Sequence, residues 1–311
     1  MCRQFDSSQH HDNPLNLSGL LFLFSLSFSV FGTINVDKDF WQNWPLCYQM
    51  KNKSLIIIAL ASFLCIEAFA QRTIGSIPAP SGFSRVEASG FGAYLRKLPL
   101  KPEGSKVHLY DGSVKYWQGG AYAVVDMEIG KSDLQQCADA CIRLRAEYLW
   151  RSKQYSAIHF NFTNGFRADY SKWAEGYRIS VKGNKVEWYK AGELDYGYNA
   201  FRKYLNMVFS YAGTLSLSKE LKQTTKADVK IGDVFIVGGT PGHAMIIVDL
   251  AMDDKGRKAI MVAQSYMPAQ DIHIVTNLND ETVSPWYIFD ENTMTFGFPE
   301  WTFYLYQLKK F

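Results

Sequence analysis

From residue 231 onward the apolar positions fall into short runs cut by turns. One run precedes Gly238-Gly-Thr-Pro-Gly242, a second runs from His243 to the Asp253-Asp-Lys-Gly256 turn, and a third ends at Ala263-Gln264. Runs of this length, rich in Val and Ile and bounded by glycine, read as strands, predicted over 232–237, 243–250, 258–264 and 271–275. Shorter alternating stretches predict strands over 107–110, 114–117 and 121–127. Over 155–163, Ile158, Phe160 and Phe162 share one side and His159, Asn161 and Thr163 the other, before an Asn164-Gly165 turn. Residues 178–181 and 186–189 read as a hairpin about Gly183-Asn184. Two stretches keep helical spacing. One has Ser132 or Asp133 as N-cap and a body from Leu134 to about Lys153; the other runs from Tyr198 to Tyr211 with Phe201, Tyr204, Leu205 and Val208 on one face. Helices in the N-terminal half followed by an antiparallel meander predict an α+β domain.

Ahead of this domain, Met50 is followed by Lys51 and Lys53, an apolar run from Leu55 to Phe63, and Ala68-Phe-Ala70 before Gln71. That is the layout of a secretory signal peptide cleaved after Ala70. The large Leu64 before Cys65 argues against a lipid anchor. Residues 1–49 read as an upstream extension, translation starting at Met50; the alternative is a membrane segment, since Leu15 to Ile34 is uncharged and apolar enough to span a bilayer. Residues 71–90 form an extended lead-in and 91–311 a single α+β domain. The expected product is exported, periplasmic or extracellular, with no stable membrane insertion of the mature chain.

After residue 70 there remain 29 basic and 25 acidic side chains, 33 less 4 and 30 less 5. A balance of +4, evenly spread, gives no ground for nucleic-acid binding. Cys137 and Cys141 are the cysteines left, one helical turn apart and poorly aimed at each other for a disulfide. No His, Cys, Asp and Glu set has the spacing of a metal site, and no cofactor is expected.

A thiol hydrolase needs a cysteine, a histidine in reach and a polar group to fix the imidazole. Cys137 lies about one turn into its helix, where the macrodipole favours a thiolate. His243 opens a strand behind a glycine turn, Gln264 ends the next strand and could orient the ring, and Gln136 could help bind an oxyanion. The same residues admit plainer readings. Leu134, Cys137, Cys141, Leu144 and Tyr148 form an apolar helical stripe, so that Cys137 reads equally as core. Gln264 could bond backbone at a strand end. His273 alternates with Ile272 and Ile274 and lines a groove or faces solvent. His159 and Asn161 share a polar strand face that could line a cleft, and Trp173 and Tyr177 are candidate stacking rings, although most such rings are core.

The runs Asp133-Leu-Gln-Gln-Cys-Ala-Asp-Ala, Arg143-Leu-Arg-Ala-Glu-Tyr-Leu, Phe160-Asn-Phe-Thr-Asn-Gly-Phe-Arg-Ala-Asp-Tyr, Tyr211-Ala-Gly-Thr-Leu-Ser-Leu, Pro241-Gly-His-Ala, Ala263-Gln-Ser-Tyr-Met-Pro-Ala-Gln-Asp-Ile-His and Ser284-Pro-Trp-Tyr carry a resemblance to a bacterial family, domain of unknown function 4846, over residues 80–311. That resemblance implies little about activity. Separately, Gly232-Asp233 followed by Gly242-His243 resembles the NlpC-type and CHAP cell-wall peptidases over about 35 residues. The Asp-Cys-Ser/Gly signature of those enzymes is replaced here by Gln136-Cys137-Ala138. It implies a papain-like core.

The sequence therefore supports a cysteine amidase or peptidase acting on cell-wall peptide or another envelope substrate, with Cys137 as nucleophile, His243 as base and Gln264 as orienting group. Substrate contacts are expected from Gln136, His159, Asn161, Trp173, Tyr177 and His273. The rival is a non-catalytic envelope- or glycan-binding domain using the same cleft. A hydrolase built on His243, Asp249 and Ser265 ranks third.

Overall fold

Strands that are apolar on both sides need cover on both sides. The computed structural model, which describes residues 71–311, supplies it: these residues form one compact unit with a nine-stranded sheet at its centre. The extension, membrane segment and signal peptide expected over 1–70 lie outside the described residues.

In chain order come β1 (Ser84–Arg85), helix α1 (Gly90–Arg96), β2 (Ala121–Val124) and α2 (Cys137–Arg151). The hairpin of β3 (His159–Asn161) and β4 (Arg167–Asp169) precedes α3 (Tyr170–Ala174), and that of β5 (Tyr177–Lys182) and β6 (Lys185–Lys190) follows it. Then come α4 (Tyr198–Tyr211) and α5 (Thr214–Glu220). The remainder is mostly sheet: β7 (Lys222–Gln223), β8 (Val234–Val237), β9 (His243–Met252), β10 (Lys258–Gln264), β11 (His273–Val275), β12 (Tyr287–Phe289), β13 (Thr295–Gly297), β14 (Thr302–Tyr304) and β15 (Leu308–Lys310). The main sheet runs β2-β11-β10-β9-β8-β15-β7, with β1 also on β9 and β12 also on β10, and its pairs are antiparallel.

Alternate residues of the central strands feed two cores. Val234, Ile236, Ala244, Ile246, Met261 and Ala263 pack with Cys141, Leu144, Phe201 and Leu205 of the helices. Phe235, Met245, Ile247, Ile260 and Val262 meet Phe296, Phe298 and Phe303 from the C-terminal segment. The fold is thus mixed α+β, with a large antiparallel sheet covered by helices on one face and by aromatic residues on the other. Among the described residues no helix is long and apolar enough to cross a membrane.

Several expectations change. Residues 107–110 and 114–117 are not strands; isolated bridges join His108 to Val114 and Leu109 to Gln270, and the Gln118 amide also bonds Val107 N at 2.9 Å and Val107 O at 3.2 Å. Residues 71–90 are more than a lead-in, for Ile74 and Ile77 are buried in the helix-side core and β1 pairs with the end of β9. The fully buried Asp249 of β9 anchors this segment, accepting from Arg85 Nε at 2.7 Å and from Arg96 Nε at 2.8 Å. Helix α2 starts at Cys137 and not at Leu134, because Gln136 is its N-cap and Asp139 Oδ2 accepts the Gln136 backbone N–H at 3.1 Å.

Candidate active site

The corrected start of α2 makes Cys137 its first residue, where the backbone N–H groups have no partner within the helix. Opposite it, the turn at 238–242 delivers His243 as the first residue of β9. Gly242 is required there by close approach: a Cβ would lie 2.4 Å from Gly239 O and 2.5 Å from Thr214 Oγ1. Cys137, His243 and Gln136 open into one cleft of about 530 Å³, whose walls include Asp133, Asp139, Tyr266 and Trp301. No hydrogen bond joins the Cys137 thiol to the imidazole; resting active sites commonly hold such pairs loosely and tighten them on substrate.

Gln264 falls on the same sheet face as His243, and the two side chains meet, His243 Nε2 to Gln264 Oε1 at 2.8 Å. The Gln264 amide is itself fixed. Its Nε2 donates to Glu300 Oε2 at 2.5 Å and to His273 Nε2 at 3.2 Å, while His273 Nδ1 faces Asp271 O at 3.0 Å. With the amide nitrogen committed to a carboxylate, the oxygen must face His243, which places the imidazole proton on Nε2 and leaves Nδ1 bare. Lys115 Nζ holds the other Glu300 oxygen at 2.7 Å. Tyr266 and Trp301 flank the imidazole, with ring centroids 4.9 and 5.3 Å away. The ring therefore has one hydrogen bond, one open nitrogen and little freedom to turn.

Burial sets the charge states. It holds the His243 imidazolium down to about 4, with Lys115 adding to the effect, and pulls His273 down to about 3. The Cys137 thiol, 7 % exposed, is pushed up to about 11, first by burial and then by the Asp139 carboxyl; backbone N–H groups of Ala138 and Ala244 pull the other way without winning. This corrects the expectation that the helix terminus would lower the thiol. At neutral pH the pair is a thiol and a neutral imidazole. Asp139 is itself pushed up to about 8 by burial.

The remaining sequence candidates are dispersed. Gln136 stands in the cleft, its Nε2 donating to Asp133 Oδ1 at 3.1 Å. His159 and Asn161 line a separate cavity of about 350 Å³ with Arg145, Arg167 and Glu220. Trp173 is core, its Nε1 donating to Ala200 O at 3.1 Å, and is closed to a ligand. Tyr177 lies between Lys172 and Lys190 on the hairpin side. His273 neither lines a groove nor faces solvent, being wholly buried behind Gln264. The Asp249 and Ser265 alternative fails: Asp249 is committed to two arginines and lies six residues along β9, about 20 Å from His243. Ser265 Oγ lies within hydrogen-bond reach of Gln135 O and Gln270 O. Cys141 is buried core. Among the described residues no group of three or more His, Cys, Asp or Glu side chains could hold a metal.

Sequence reading missed Glu300, Lys115, Asp139, Tyr266 and Trp301. Asp139 and Tyr266 sit within motifs that were legible, whereas Glu300 comes from a turn with no local pattern and Lys115 from a stretch whose alternation pointed to a strand. Replacing Glu300 by leucine, which frees the Gln264 amide to turn, is expected to slow alkylation of Cys137 at pH 7 about tenfold, the worth of one charge-assisted hydrogen bond. Glu300→Gln keeps an acceptor for Gln264 Nε2 and should restore most of that rate, which a purely structural role would not predict.

A family model described as Domain of unknown function (4846) matches residues 74–310. No curated protein and no solved structure matches the chain. The resemblance to NlpC-type and CHAP peptidases thus finds no counterpart among these comparisons.

Proposed function

The chain belongs to the family described as Domain of unknown function (4846), and within that family we propose that it is an exported cysteine hydrolase with a papain-like arrangement of helix, strand and amide, cutting amide bonds in cell-wall peptide or another envelope substrate. The contact between His243 Nε2 and Gln264 Oε1 carries this reading, because it leaves Nδ1 as a bare base in a cleft that also holds the thiol of a helix-initial cysteine. The signal-peptide pattern at residues 50–70 supports export.

In this mechanism His243 Nδ1 takes the Cys137 proton as Sγ attacks the substrate carbonyl carbon, and the carbonyl electrons move onto oxygen. The Cys137 backbone N–H and the second N–H of Gln136 Nε2 receive that oxyanion. Collapse of the tetrahedral adduct breaks the C–N bond, and the leaving amine takes the proton from His243. Water then adds to the thioester, giving a proton to His243 that returns to sulfur as the carboxylic acid departs. Gln264 keeps the ring in the tautomer that both half-reactions need.

The test is the pH profile of iodoacetamide alkylation at Cys137, read by peptide mapping, with Cys141 as an internal buried control. The native protein should show a rate limb near pH 4, where His243 loses its proton and becomes a base, followed by a plateau through neutrality. His243→Ala should lose the limb and react about 10²-fold more slowly at pH 7. Labelling that requires denaturation, or a profile unchanged in the variant, would turn the reading toward a binding domain.

A further inference from the structure

The carboxyl groups in the walls of the cleft beside Cys137 have no lysine or arginine among them. They belong to Asp133 and Asp139. Asp139 stands out because its two oxygens differ. Oδ2 accepts the Gln136 backbone N–H at 3.1 Å, whereas Oδ1 has no hydrogen-bond partner although the residue is only 5 % exposed. A buried carboxyl oxygen left bare is costly unless something fills the position. This carboxyl lies two residues from the nucleophile and close enough to act on its titration. Trp301 adds a π face to the same walls, which suits a cation, while the Tyr266 ring already carries the Lys115 ammonium.

We infer that the cleft selects substrates bearing a positive charge, a protonated amine or basic side chain, beside the scissile carbonyl, with Asp139 Oδ1 as its principal partner and Asp133 as a weaker one. This inference rests on the hydrolase reading for the words substrate and scissile; the preference for cations at the thiol can be measured without it. An anionic group in the same place would meet two carboxyls, and the nearby cation, Lys115 beyond the Tyr266 ring, is already paired with Glu300 at 2.7 Å.

The thiol itself reports the preference. Methanethiosulfonates transfer their substituted sulfur to a thiolate, forming a mixed disulfide and releasing methanesulfinate, and their side chains can be cationic at every pH (2-(trimethylammonio)ethyl), neutral (methyl) or anionic (2-sulfonatoethyl). Rates at Cys137 in the full chain, each divided by the rate with 2-mercaptoethanol, should favour the cationic over the anionic reagent about 30-fold at pH 8.5, where Asp139 is mostly ionised. Asp139→Asn keeps an acceptor for the Gln136 N–H and should cut the ratio to about threefold, and Asp133→Asn should lower it less. If Asp139→Asn does not fold, the native protein still decides. Between pH 7 and 9 His243 stays neutral, Tyr266, raised by burial, keeps its proton, and Cys137 stays far below its value of about 11, so the preference should grow as Asp139 ionises. A ratio near one, or one indifferent to both pH and Asp139, would overturn the inference. The hydrolase reading fails on a different result, alkylation that does not depend on His243, so the two can be lost separately.

Discussion

On the proposed hydrolase reading, Cys137→Ala is expected to abolish amide cleavage while leaving the fold intact. A nucleophile whose removal forbids the covalent intermediate should cost at least about 10⁴-fold in rate, as for other residues that act as one catalytic unit. The stability effect is small by comparison. Cys137 is buried, but the change removes one sulfur atom at the edge of a cleft, worth about 1 kcal/mol. The measurement is mass spectrometry of muropeptides from digested cell wall, incubated with the native protein and the variant, with urea unfolding of both in parallel. New amine and carboxyl ends should appear with the native protein alone. Cleavage by the variant at the native rate would remove Cys137 from the chemistry. His243→Ala should be nearly as inactive, and the double variant no worse than the single, because both act on the same step.

Asp249→Ala is expected to destabilise the fold by about 3 kcal/mol in urea unfolding. The carboxylate is fully buried and accepts three guanidinium N–H groups, from Arg85 Nε, Arg96 Nε and Arg96 Nη2 at 2.7, 2.8 and 2.5 Å, together with the Leu250 N–H at 2.9 Å. The arginine side chains are 24 % and 19 % exposed, so part of their charge returns to water when the partner is lost, which keeps the cost at the low end for a broken buried pair. Arg85 also reaches the carbonyl of Ile77, so the loss should loosen residues 74–85 before the central strands. Faster hydrogen exchange over that segment would confirm the route, and an unfolding midpoint within experimental error of the native protein would refute it. Because Asp249 lies far along β9 from His243, alkylation of Cys137 in the folded variant should be unchanged.

The fold was legible wherever local pattern and tertiary packing agree. Helix α4 matches its expected limits, β10 matches over 258–264, and the hairpin of β5 and β6 closes about Gly183-Asn184 as its alternation and turn chemistry required. Apolar runs between glycine turns placed the central strands because such runs have few other ways to bury themselves. Residues 107–117 misled because alternation is not pairing: they turn back on themselves, Lys115 N–H on Val107 O and Leu109 N–H on Ser113 O, with isolated bridges and the Gln118 side chain where a continuous ladder was expected. The start of α2 moved by three residues because a cap is a side-chain decision, made here by Asp139 reaching back to Gln136.

The candidate site divides along the same line. Cys137, His243 and Gln264 were each readable from a helix start, a glycine turn and a strand end, since those are local features of the chain. What the sequence by itself determined is the α+β order of elements and the residue types able to do thiol chemistry. Tertiary structure alone decided that these three converge, that His159, Asn161, Trp173 and Tyr177 lie elsewhere, and that Glu300 and His273 fix the Gln264 amide. It also decided the protonation states, against the expectation from the helix dipole. A dipole acts through the backbone of one helix and can be read along the chain, whereas desolvation depends on every segment packed around the group, and no local pattern records it.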